Sequence, residues 1–219
     1  MSSPDNLSAI ILARSGSKGI LNKNIQEIHG TKLLEFSIKA AIQSKSITNV
    51  YVSSDSEEYL KIARINGAKT IKRPKNLSAD DSSSEDGILH SITEIEKKEG
   101  AISRDIIFIQ CTSPFTSSKD FDKAYKKFID NKYDSLFSGV KNHGFLWDSN
   151  LVSGINHNER ELRKRRQDVN VQVLENGAFY IFQTKKFKEI KNRFFGKIGY
   201  FFQSEINKYE FDTYEDLEI

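Results

Sequence analysis

The chain is poor in residues that cross-link or stiffen a fold. Its 219 residues include one cysteine, Cys111, and three prolines. A single cysteine excludes an internal disulfide and a zinc site built from cysteines, and it fits a reducing, cytoplasmic setting. No candidate base lies near Cys111 in the sequence, so we interpret it as a packing residue.

Long apolar runs and a strong charge imbalance are also missing. Runs such as Ala9–Ala13 are too short to cross a membrane, and residues 1–6 lack the basic and apolar regions of a secretory signal. The net charge of +3 is too small to indicate a nucleic-acid partner. We therefore expect neither a membrane nor a nucleic acid as partner.

The order of apolar segments indicates an α/β fold. With 37% hydrophobic and 29% charged residues, the chain has the composition of a folded domain, and we expect a single domain over residues 1–219. The expected strands are Leu7–Ala13, Val50–Val52, Ala68–Lys72, Ile106–Ile109, Ser135–Val140, Leu174–Phe182 and Gly199–Phe202. The expected helices are Leu33–Ile42, Glu57–Asn66, Ile88–Ile95 and Phe121–Asp130. This alternation predicts a mostly parallel sheet flanked by helices.

One long segment interrupts the alternation. Residues Lys141–Val173 are polar and strongly charged, so we interpret them as an excursion from the core, either an active-site flap or an oligomerisation arm. In open α/β sheets, ligands bind at the carboxyl ends of the strands. We therefore expect the chemistry in the loops after Ala13, Lys72, Ile109 and Phe182.

A polar glycine loop, Arg14–Gly19, follows the first expected strand. Its two glycines permit a tight turn whose backbone N–H groups point into one concavity. Arg14 and Lys18 within the loop, and Lys23 beyond it, add positive charge that suits a phosphate. The spacing is neither that of a Walker A loop nor that of G-x-G-x-x-G. A solvated turn between strand and helix is the alternative.

Carboxylates crowd the end of the sequence. Glu210 and Asp212 alternate around Phe211, so on an extended segment both side chains face one way. Such a pair suits Mg²⁺, which proteins hold with one or two carboxylates together with phosphates and waters. The alternative is a helix entry, with Asp212 as N-cap.

A basic run lies inside the excursion, between Arg160 and Arg166. Charge patterning favours a solvated helix face for such a run. The functional alternative is capture of an anionic substrate, because a guanidinium fork binds a carboxylate through two hydrogen bonds.

Five segments in order resemble the CMP-sialic acid synthetases, also called acylneuraminate cytidylyltransferases. The resemblance runs from Ile10 to Leu217. These segments, called the first to fifth motifs, are in order Ile11–Ile20 with Lys23-Asn24, Arg73-Pro74 with Leu77–Asp80 and Ser82–Ser84, Gln110–Pro114, Arg165–Asp168 with Glu175–Tyr180, and Phe211–Thr213 with Asp216-Leu217. No single segment is specific, but five in order at the spacing of the family are.

The resemblance implies a Rossmann-like α/β nucleotidyltransferase that uses CTP and Mg²⁺. Such an enzyme joins CMP to the anomeric hydroxyl of a nine-carbon 2-keto sugar acid and releases pyrophosphate. The resemblance also implies a homodimer, in which an arm from the later half of the sequence, here Lys141–Val173, helps to build the sugar pocket.

Roles for individual residues come from the same resemblance. The implied catalytic residues are Arg14, Lys18, Lys23 and Asp212. The implied CTP-binding residues are Arg14, Ser15, Gly16, Lys18, Lys23, Asn24, Arg73, Ser82 and Ser84. The implied contacts to the sugar acid are Gln110, Arg166 and Asn176. The implied Mg²⁺ ligands are Asp212 and Glu210.

Departures from the family pattern leave the substrate open. Glu210 stands where the family has aspartate, Leu21 and Asn22 replace a proline and a frequently basic residue, and Thr116 stands where a basic residue is common. The nearest alternative is a cytidylyltransferase for another 2-keto sugar acid, such as an octulosonate or a diamino-nonulosonate. A glycosyltransferase would carry a D-x-D motif near the middle of its sequence in a nucleotide-binding context, which we do not find. A non-catalytic nucleotide-binding module would bind CTP without releasing pyrophosphate.

Overall fold

The fold is a sheet covered by helices on both faces. The computed structural model describes residues 7–16, 19–79, 81–162, 165, 168, 171–209, 211 and 216. The strands among these residues are β1 (Leu7–Leu12), β2 (Glu27–Ile28), β3 (Thr31–Lys32), β4 (Asn49–Ser54), β5 (Lys69–Lys72), β6 (Asp105–Ile109), β7 (Ser135–Asn142), β8 (Trp147–Asp148), β9 (Ser153–Gly154), β10 (Gln172–Gln183) and β11 (Ile198–Phe202). The α-helices are α1 (Leu33–Gln43), α2 (Glu57–Ile65), α3 (Ser84–Glu99), α4 (Ser118–Asp130) and α5 (Thr184–Ile190).

Seven strands form the central sheet, in the order β11-β7-β10-β6-β1-β4-β5. Strands β6, β1, β4 and β5 are parallel, and β11 is parallel to β7. Strand β10 runs antiparallel to both of its neighbours, β6 and β7. The mostly parallel sheet expected from the sequence is therefore confirmed. The strand order reverses between β1 and β6, and this is the place where open α/β sheets bind ligands.

Two apolar layers pack on opposite faces of the sheet. Alternate residues of β1 separate them, because successive strand side chains point to opposite faces: Ile11 joins one layer and Ile10 the other. The first layer contains buried residues of α1, α2 and α4, such as Phe121. The second contains those of α3 and α5, such as Phe187. Helices on both faces explain why the central strands are apolar throughout.

Local signals in the sequence set where several helices begin. Ser56, Ser83 and Ser117 are the N-caps of α2, α3 and α4, and each accepts a hydrogen bond from a backbone N–H in the first turn. After α2, Gly67 adopts the left-handed region, with φ 86°, a conformation that commonly ends a helix. No helix among the described residues combines the length and apolarity that a bilayer crossing needs.

The direction of β10 corrects one expectation. Because β10 is antiparallel, the loop after Phe182 lies at the opposite edge of the sheet from the loops after β1, β5 and β6. The expectation that this loop shares an edge with the other three is wrong. The amino end of β10, around Asn176, lies at the carboxyl edge instead.

The excursion is shorter than its expected bounds. Strand β7 continues to Asn142 and β10 begins at Gln172, where these two residues pair. Between them, β8 and β9 form a separate two-stranded sheet. This segment carries exposed large apolar side chains: Leu146, Trp147, Leu151, Val152, Ile155 and Leu162.

Candidate functional site

The loop after β1 is held by the carboxylate of Asp55, at the end of the neighbouring strand β4. Its Oδ1 accepts the backbone N–H of Ser15 at 3.0 Å, and its Oδ2 accepts the Ser15 hydroxyl at 2.7 Å. Lys72, at the end of β5, donates its Nζ to the Asp55 carbonyl at 2.7 Å. Asp55 therefore joins the carboxyl ends of three adjacent strands.

The surroundings of Asp55 keep it ionised. Burial raises the pKa of this carboxyl, but the two hydrogen bonds from Ser15 and the charge of Arg73 oppose burial, and the pKa lies below its usual value. Sequence reasoning missed Asp55, because the loop after β4 was not among the loops expected to carry chemistry. The position of Asp55 directly after a buried strand is the feature of the sequence from which it could have been predicted.

Arg73 is a buried cation at the same edge. It is 5% exposed, its backbone N–H donates to the Ser54 carbonyl at 2.8 Å, and its Nε donates to Ser78 Oγ at 3.0 Å. Burial lowers its pKa, the Asp55 charge opposes this, and the charge of Arg14 lowers it further. Arg14, two residues after β1, and Arg73, directly after β5, thus lie at the same edge of the sheet. Two guanidinium groups at one edge form a place where an anion is stabilised.

The residues after the glycine loop support it. Asn24 is 6% exposed and donates its Nδ2 to the Arg14 carbonyl at 3.1 Å. Lys23 begins a short 3-10 turn, Lys23–Ile25, and its charge acts on Cys111 at the end of β6. The Asn24 hydrogen bond therefore ties this turn to the glycine loop.

Cys111 is a packing residue, as expected. It is buried in the apolar layer of α1 and α4, and burial raises the pKa of its thiol to about 12. A thiol with this pKa is protonated at neutral pH and is a poor nucleophile.

The serines of the second motif lie at the start of α3. Ser82 donates its hydroxyl to the Asn76 carbonyl at 2.8 Å, Ser83 is the N-cap, and Ser84 is the first helical residue. In the first turn of α3, a Cβ on Gly87 would lie 2.9 Å from Nη1 of Arg73. The first turn of α3 therefore packs directly against Arg73.

Asn176 lies at a bulge in β10 and is 3% exposed. Its Nδ2 donates to Gln203 Oε1 and to the Asn207 carbonyl, both at 2.8 Å. Gln203 in turn donates to Thr116 Oγ1 at 3.1 Å. The Oδ1 of Asn176 is buried without a hydrogen-bond partner in the described structure. An acceptor that is buried without a partner is uncommon in folded proteins.

Thr116, Gln203 and Asn207 were not predicted as site residues. Polar residues in a loop and near the end of a sequence give no signal of burial, so only the structure reveals this network. The neighbouring Gln110, a predicted sugar contact, is half-buried, and its backbone N–H donates to the Ala178 carbonyl at 3.0 Å. Gln110 and Asn176 therefore lie on adjacent strands at the carboxyl edge.

A cavity of about 380 Å³ opens where the excursion leaves β7. Its lining includes Lys141, His143 and Lys208, with Glu205 as the acidic member. Lys208 and Glu205 flank the network that holds Asn176. The cavity therefore adjoins the carboxyl edge, and two lysines and one glutamate line it.

Four predicted residues, Lys18, Arg166, Glu210 and Asp212, lie outside the described residues. Phe211, between the last two in sequence, is described. It donates its N–H to the Thr112 carbonyl at 3.0 Å, and its ring lies 5.8 Å from that of Phe115. Phe211 is thus held against the third motif. The residues that the structure describes include no group of three His, Cys, Asp or Glu side chains able to hold a metal ion.

Residues 8–219 match the sequence model of a protein family described as cytidylyltransferase. The chain is 40% identical over 182 residues to N-acylneuraminate cytidylyltransferase A of Danio rerio, covering 80% of this chain and 41% of that protein. It is 32% identical over 217 residues to pseudaminic acid cytidylyltransferase of Campylobacter jejuni, covering 96% of this chain and 92% of that protein. The chain thus spans less than half the length of its relatives from Danio rerio and Oncorhynchus mykiss.

Solved structures show the same fold. A CMP:2-keto-3-deoxy-manno-octonic acid synthetase complexed with CTP superposes with a TM-score of 0.72 at 13% identity, covering 97% of this chain and 95% of that protein. A 4-diphosphocytidyl-2C-methyl-D-erythritol synthase from Anaerococcus prevotii superposes with a TM-score of 0.68 at 16% identity, covering 98% and 94%. The Rossmann-like architecture is therefore confirmed.

Proposed function

Because the chain belongs to the cytidylyltransferase family, we propose that it transfers CMP from CTP to the anomeric hydroxyl of a sialic-acid-like 2-keto sugar acid and releases pyrophosphate. The observation that carries this proposal is the cationic edge around Asp55, where Arg14 follows β1 and Arg73 follows β5. The relative from Danio rerio, an N-acylneuraminate cytidylyltransferase, supports the sugar class.

The proposed reaction is an in-line substitution at the α-phosphorus of CTP. The anomeric oxygen forms a bond to this phosphorus and loses its proton, while the bond to the leaving pyrophosphate breaks. Such a reaction depends mainly on positioning and on neutralising charge. In this proposal Arg14, Lys18 and Lys23 hold the triphosphate. Gly16 supplies a backbone N–H group to the phosphates, and Ser15, whose own N–H is donated to Asp55, holds the loop in place beside them.

Ribose and cytosine lie against the second motif. Asn24, Arg73, Ser82 and Ser84 contact them in this proposal, with backbone groups helping. Because the Asn24 side chain also donates a hydrogen bond to the Arg14 carbonyl, Asn24 also stabilises the conformation of the glycine loop.

The sugar acid lies across β6 and β10. Gln110 and Asn176 orient its hydroxyl groups, and the open Oδ1 of Asn176 accepts one hydrogen bond from it. Arg166 binds the carboxylate or lies near it. Lys141 and Lys208, which line the cavity beside β7, support an anionic substrate at this place.

Mg²⁺ belongs to this proposal. Its carboxylate ligands would be Asp212 and Glu210, whose oxygens are the donors that Mg²⁺ prefers. The hydrogen bond from Phe211 to Thr112 supports a position beside the third motif. When bound, the ion supplies polarisation of the phosphate and compensation of charge on the pyrophosphate.

The proposal is tested with the purified protein, CTP, Mg²⁺ and a panel of 2-keto sugar acids. We expect pyrophosphate release with a sialic acid, and the panel includes an octulosonate and a pseudaminic acid. The relative from Campylobacter jejuni, matched over nearly its whole length, favours the last as second candidate. Release with no acid in the panel would overturn the enzyme proposal, and CTP binding alone would favour a binding module.

Crowding the Arg73 side chain should weaken CTP binding more than it weakens the fold. In Gly87→Ala, the new Cβ meets the flexible end of Arg73 and a methyl of Leu12 at 3.0 Å, so the guanidinium must move. Alanine is the better helix former, which offsets the crowding. We expect the Kd for CTP to rise roughly fivefold, since a hydrogen bond to a charged group contributes about 1.5–3 kcal/mol and only part is lost. Calorimetry and thermal unfolding measure both effects, and an unchanged Kd in a folded variant would contradict the role of Arg73.

The proposed assembly is a homodimer in which the excursion docks on a second copy. An isolated two-stranded sheet is marginally stable, yet the turn between β8 and β9 exposes two apolar side chains, Leu151, 76% exposed, and Val152, 72% exposed. A second copy of the protein covers them in a two-fold arrangement, the commonest closed symmetry. Light scattering should give twice 25.0 kDa, and Leu151→Asp should lower this mass. A fully active species of 25.0 kDa would exclude an obligate dimer.

Arg166→Ala should raise the KM for the sugar acid by about tenfold, which corresponds to loss of one charge-assisted contact. The KM for CTP should stay close to its wild-type value. Steady-state kinetics with each substrate varied in turn measures the two KM values separately. Equal losses for CTP and sugar would point to general disruption and would contradict a sugar contact.

A further inference from the structure

A partly buried ion pair joins the first turn of α3 to the segment after α5. Arg193 Nε donates to Glu85 Oε1 at 2.7 Å, and the two side chains are 14% and 23% exposed. Arg193 follows α5 by three positions, and Glu85 is the second residue of α3. The pair therefore connects elements that are far apart in the sequence.

Two aromatic rings of the central sheet hold the guanidinium. Its carbon lies 4.5 Å from the ring centroid of Tyr180 in β10 and 5.2 Å from that of Phe108 in β6. The two rings are themselves stacked, with centroids 6.0 Å apart. A guanidinium fixed by rings and largely shielded from water makes a stronger contact than an exposed ion pair. The Arg193 side chain is therefore fixed on the sheet, and its ion pair with Glu85 holds the first turn of α3 there.

Glu85 lies where the nucleotide-binding residues of the second motif end. Ser84 precedes it, and Gly87, one residue beyond Asp86, packs against Arg73. A movement of the first helical turn would displace Ser84 and would change the space left for Arg73. The position of this turn therefore governs two proposed CTP contacts at once.

We propose that Arg193 is a positioning residue for the nucleotide-binding edge, which acts through Glu85 by holding the first turn of α3 on the sheet. This inference rests on the proposed function, because Ser84 and Arg73 contact CTP there. Arg193 itself touches neither CTP nor sugar in this proposal.

The same helix offers a matched control. Lys188 in α5 donates to both carboxylate oxygens of Glu96 at 2.8 Å, with side chains 39% and 34% exposed. Glu96 follows Glu85 by 11 residues, about three helical turns, so it lies on the same face of α3 roughly 16 Å further along. This second pair also ties α3 to the α5 region, but at the end remote from the site.

The test compares both pairs by calorimetry with CTP and Mg²⁺, without a sugar acid, together with thermal unfolding. We expect Glu85→Gln and Arg193→Gln each to raise the Kd for CTP by about tenfold, because the affected contacts involve charged groups. Arg193→Lys keeps the charge but loses the planar guanidinium fork, so its Kd for CTP should lie between those of the wild type and of Arg193→Gln. The double variant should be little worse than either single variant, since both remove one connection. Glu96→Gln and Lys188→Gln should leave the Kd unchanged.

The outcomes separate this inference from the proposed function. A wild-type Kd in folded Glu85→Gln and Arg193→Lys would overturn the positioning role and leave a merely stabilising pair. An equal rise in the Glu96→Gln control would also overturn it, because the effect would then come from general loosening of α3. Wild-type protein that binds CTP but releases no pyrophosphate would overturn the proposed function, while the comparison of Kd values still decides the role of Arg193.

Discussion

Replacing Asp55 with alanine is expected to lower kcat/KM for CTP by about 30- to 150-fold, the equivalent of roughly 2–3 kcal/mol. The change removes both hydrogen bonds that hold Ser15, so the glycine loop loses its attachment to β4. It also leaves the buried guanidinium of Arg73 without its neighbouring carboxylate, which is costly for a charge shielded from water. Steady-state kinetics with CTP varied at saturating sugar acid measures the effect.

A second aspartate provides the control for Asp55. Asp120 Oδ2 accepts the backbone N–H of Ser117 at 2.9 Å and its hydroxyl at 2.7 Å, so Asp120→Ala removes the same two kinds of bond. It belongs to a solvent-exposed capping box at the start of α4. Its loss should cost about 1 kcal/mol of stability and leave the KM for CTP unchanged. A similar kinetic loss in both variants would contradict the specific role of Asp55.

The stabilisation contributed by Asp55 should depend on pH. Because the pKa of this carboxyl is lower in the folded protein than its ordinary value of about 3.9, its contribution is fully present above that value and is lost as pH falls through the lower folded pKa. The difference in unfolding free energy between wild type and Asp55→Asn should therefore be constant near neutral pH and shrink below about pH 4. Denaturant unfolding at several pH values measures this difference, and a constant difference down to about pH 3 would contradict it.

The order of strands and helices could be predicted from the sequence because their apolar residues follow the spacing expected of buried strands and helices. Leu7–Leu12 and Asp105–Ile109 are buried on both faces, and such strands appear as short continuous apolar runs. The expected bounds of β7 and of the excursion differ from the observed ones by few residues, since polar residues such as Asn142 and Gln172 can still pair as strands.

The direction of β10 could not be read from its composition. An apolar strand has the same side-chain pattern whichever way it runs, and only pairing with Phe108 and Leu136 determines its direction. Because β10 is antiparallel, the loop after Phe182 lies at the edge opposite the expected site, whereas Asn176 lies at the carboxyl ends of β1 and β6.

The supporting residues were also beyond sequence reasoning. Asp55, Glu85 and Gln203 are ordinary polar residues in their local segments, and their partners lie 27 to 108 positions away. Long-range pairing of this kind leaves no local periodicity. Resemblance to a family supplied candidate ligand contacts, while the structure supplied the residues that hold them.

Replacing Asp212 with alanine is expected to cost about 2–4 kcal/mol of transition-state stabilisation, by analogy with other single electrostatic contacts at reacting phosphates or oxyanions. Removal of a ligand carboxylate leaves phosphate charge uncompensated in a partly desolvated site. Phe211, the preceding residue, is 3% exposed, and its backbone N–H donates a hydrogen bond to the Thr112 carbonyl. The residue next to position 212 is therefore held in the fold. Pyrophosphate release measured over a range of Mg²⁺ concentrations should show a lower kcat and a weaker response to the ion.

Two further variants distinguish a Mg²⁺ ligand from a helix cap at position 212. Glu210→Asp should keep activity or raise it, because aspartate is the usual residue of the family and brings its carboxylate closer to the backbone. Glu218→Ala removes a carboxylate from the same acidic tail and should leave the Mg²⁺ response unchanged. An N-cap role predicts a loss of stability of about 1 kcal/mol for Asp212→Ala with an unaltered Mg²⁺ response. Wild-type turnover of Asp212→Ala at limiting Mg²⁺ would therefore assign Asp212 to the cap and remove it from the metal site.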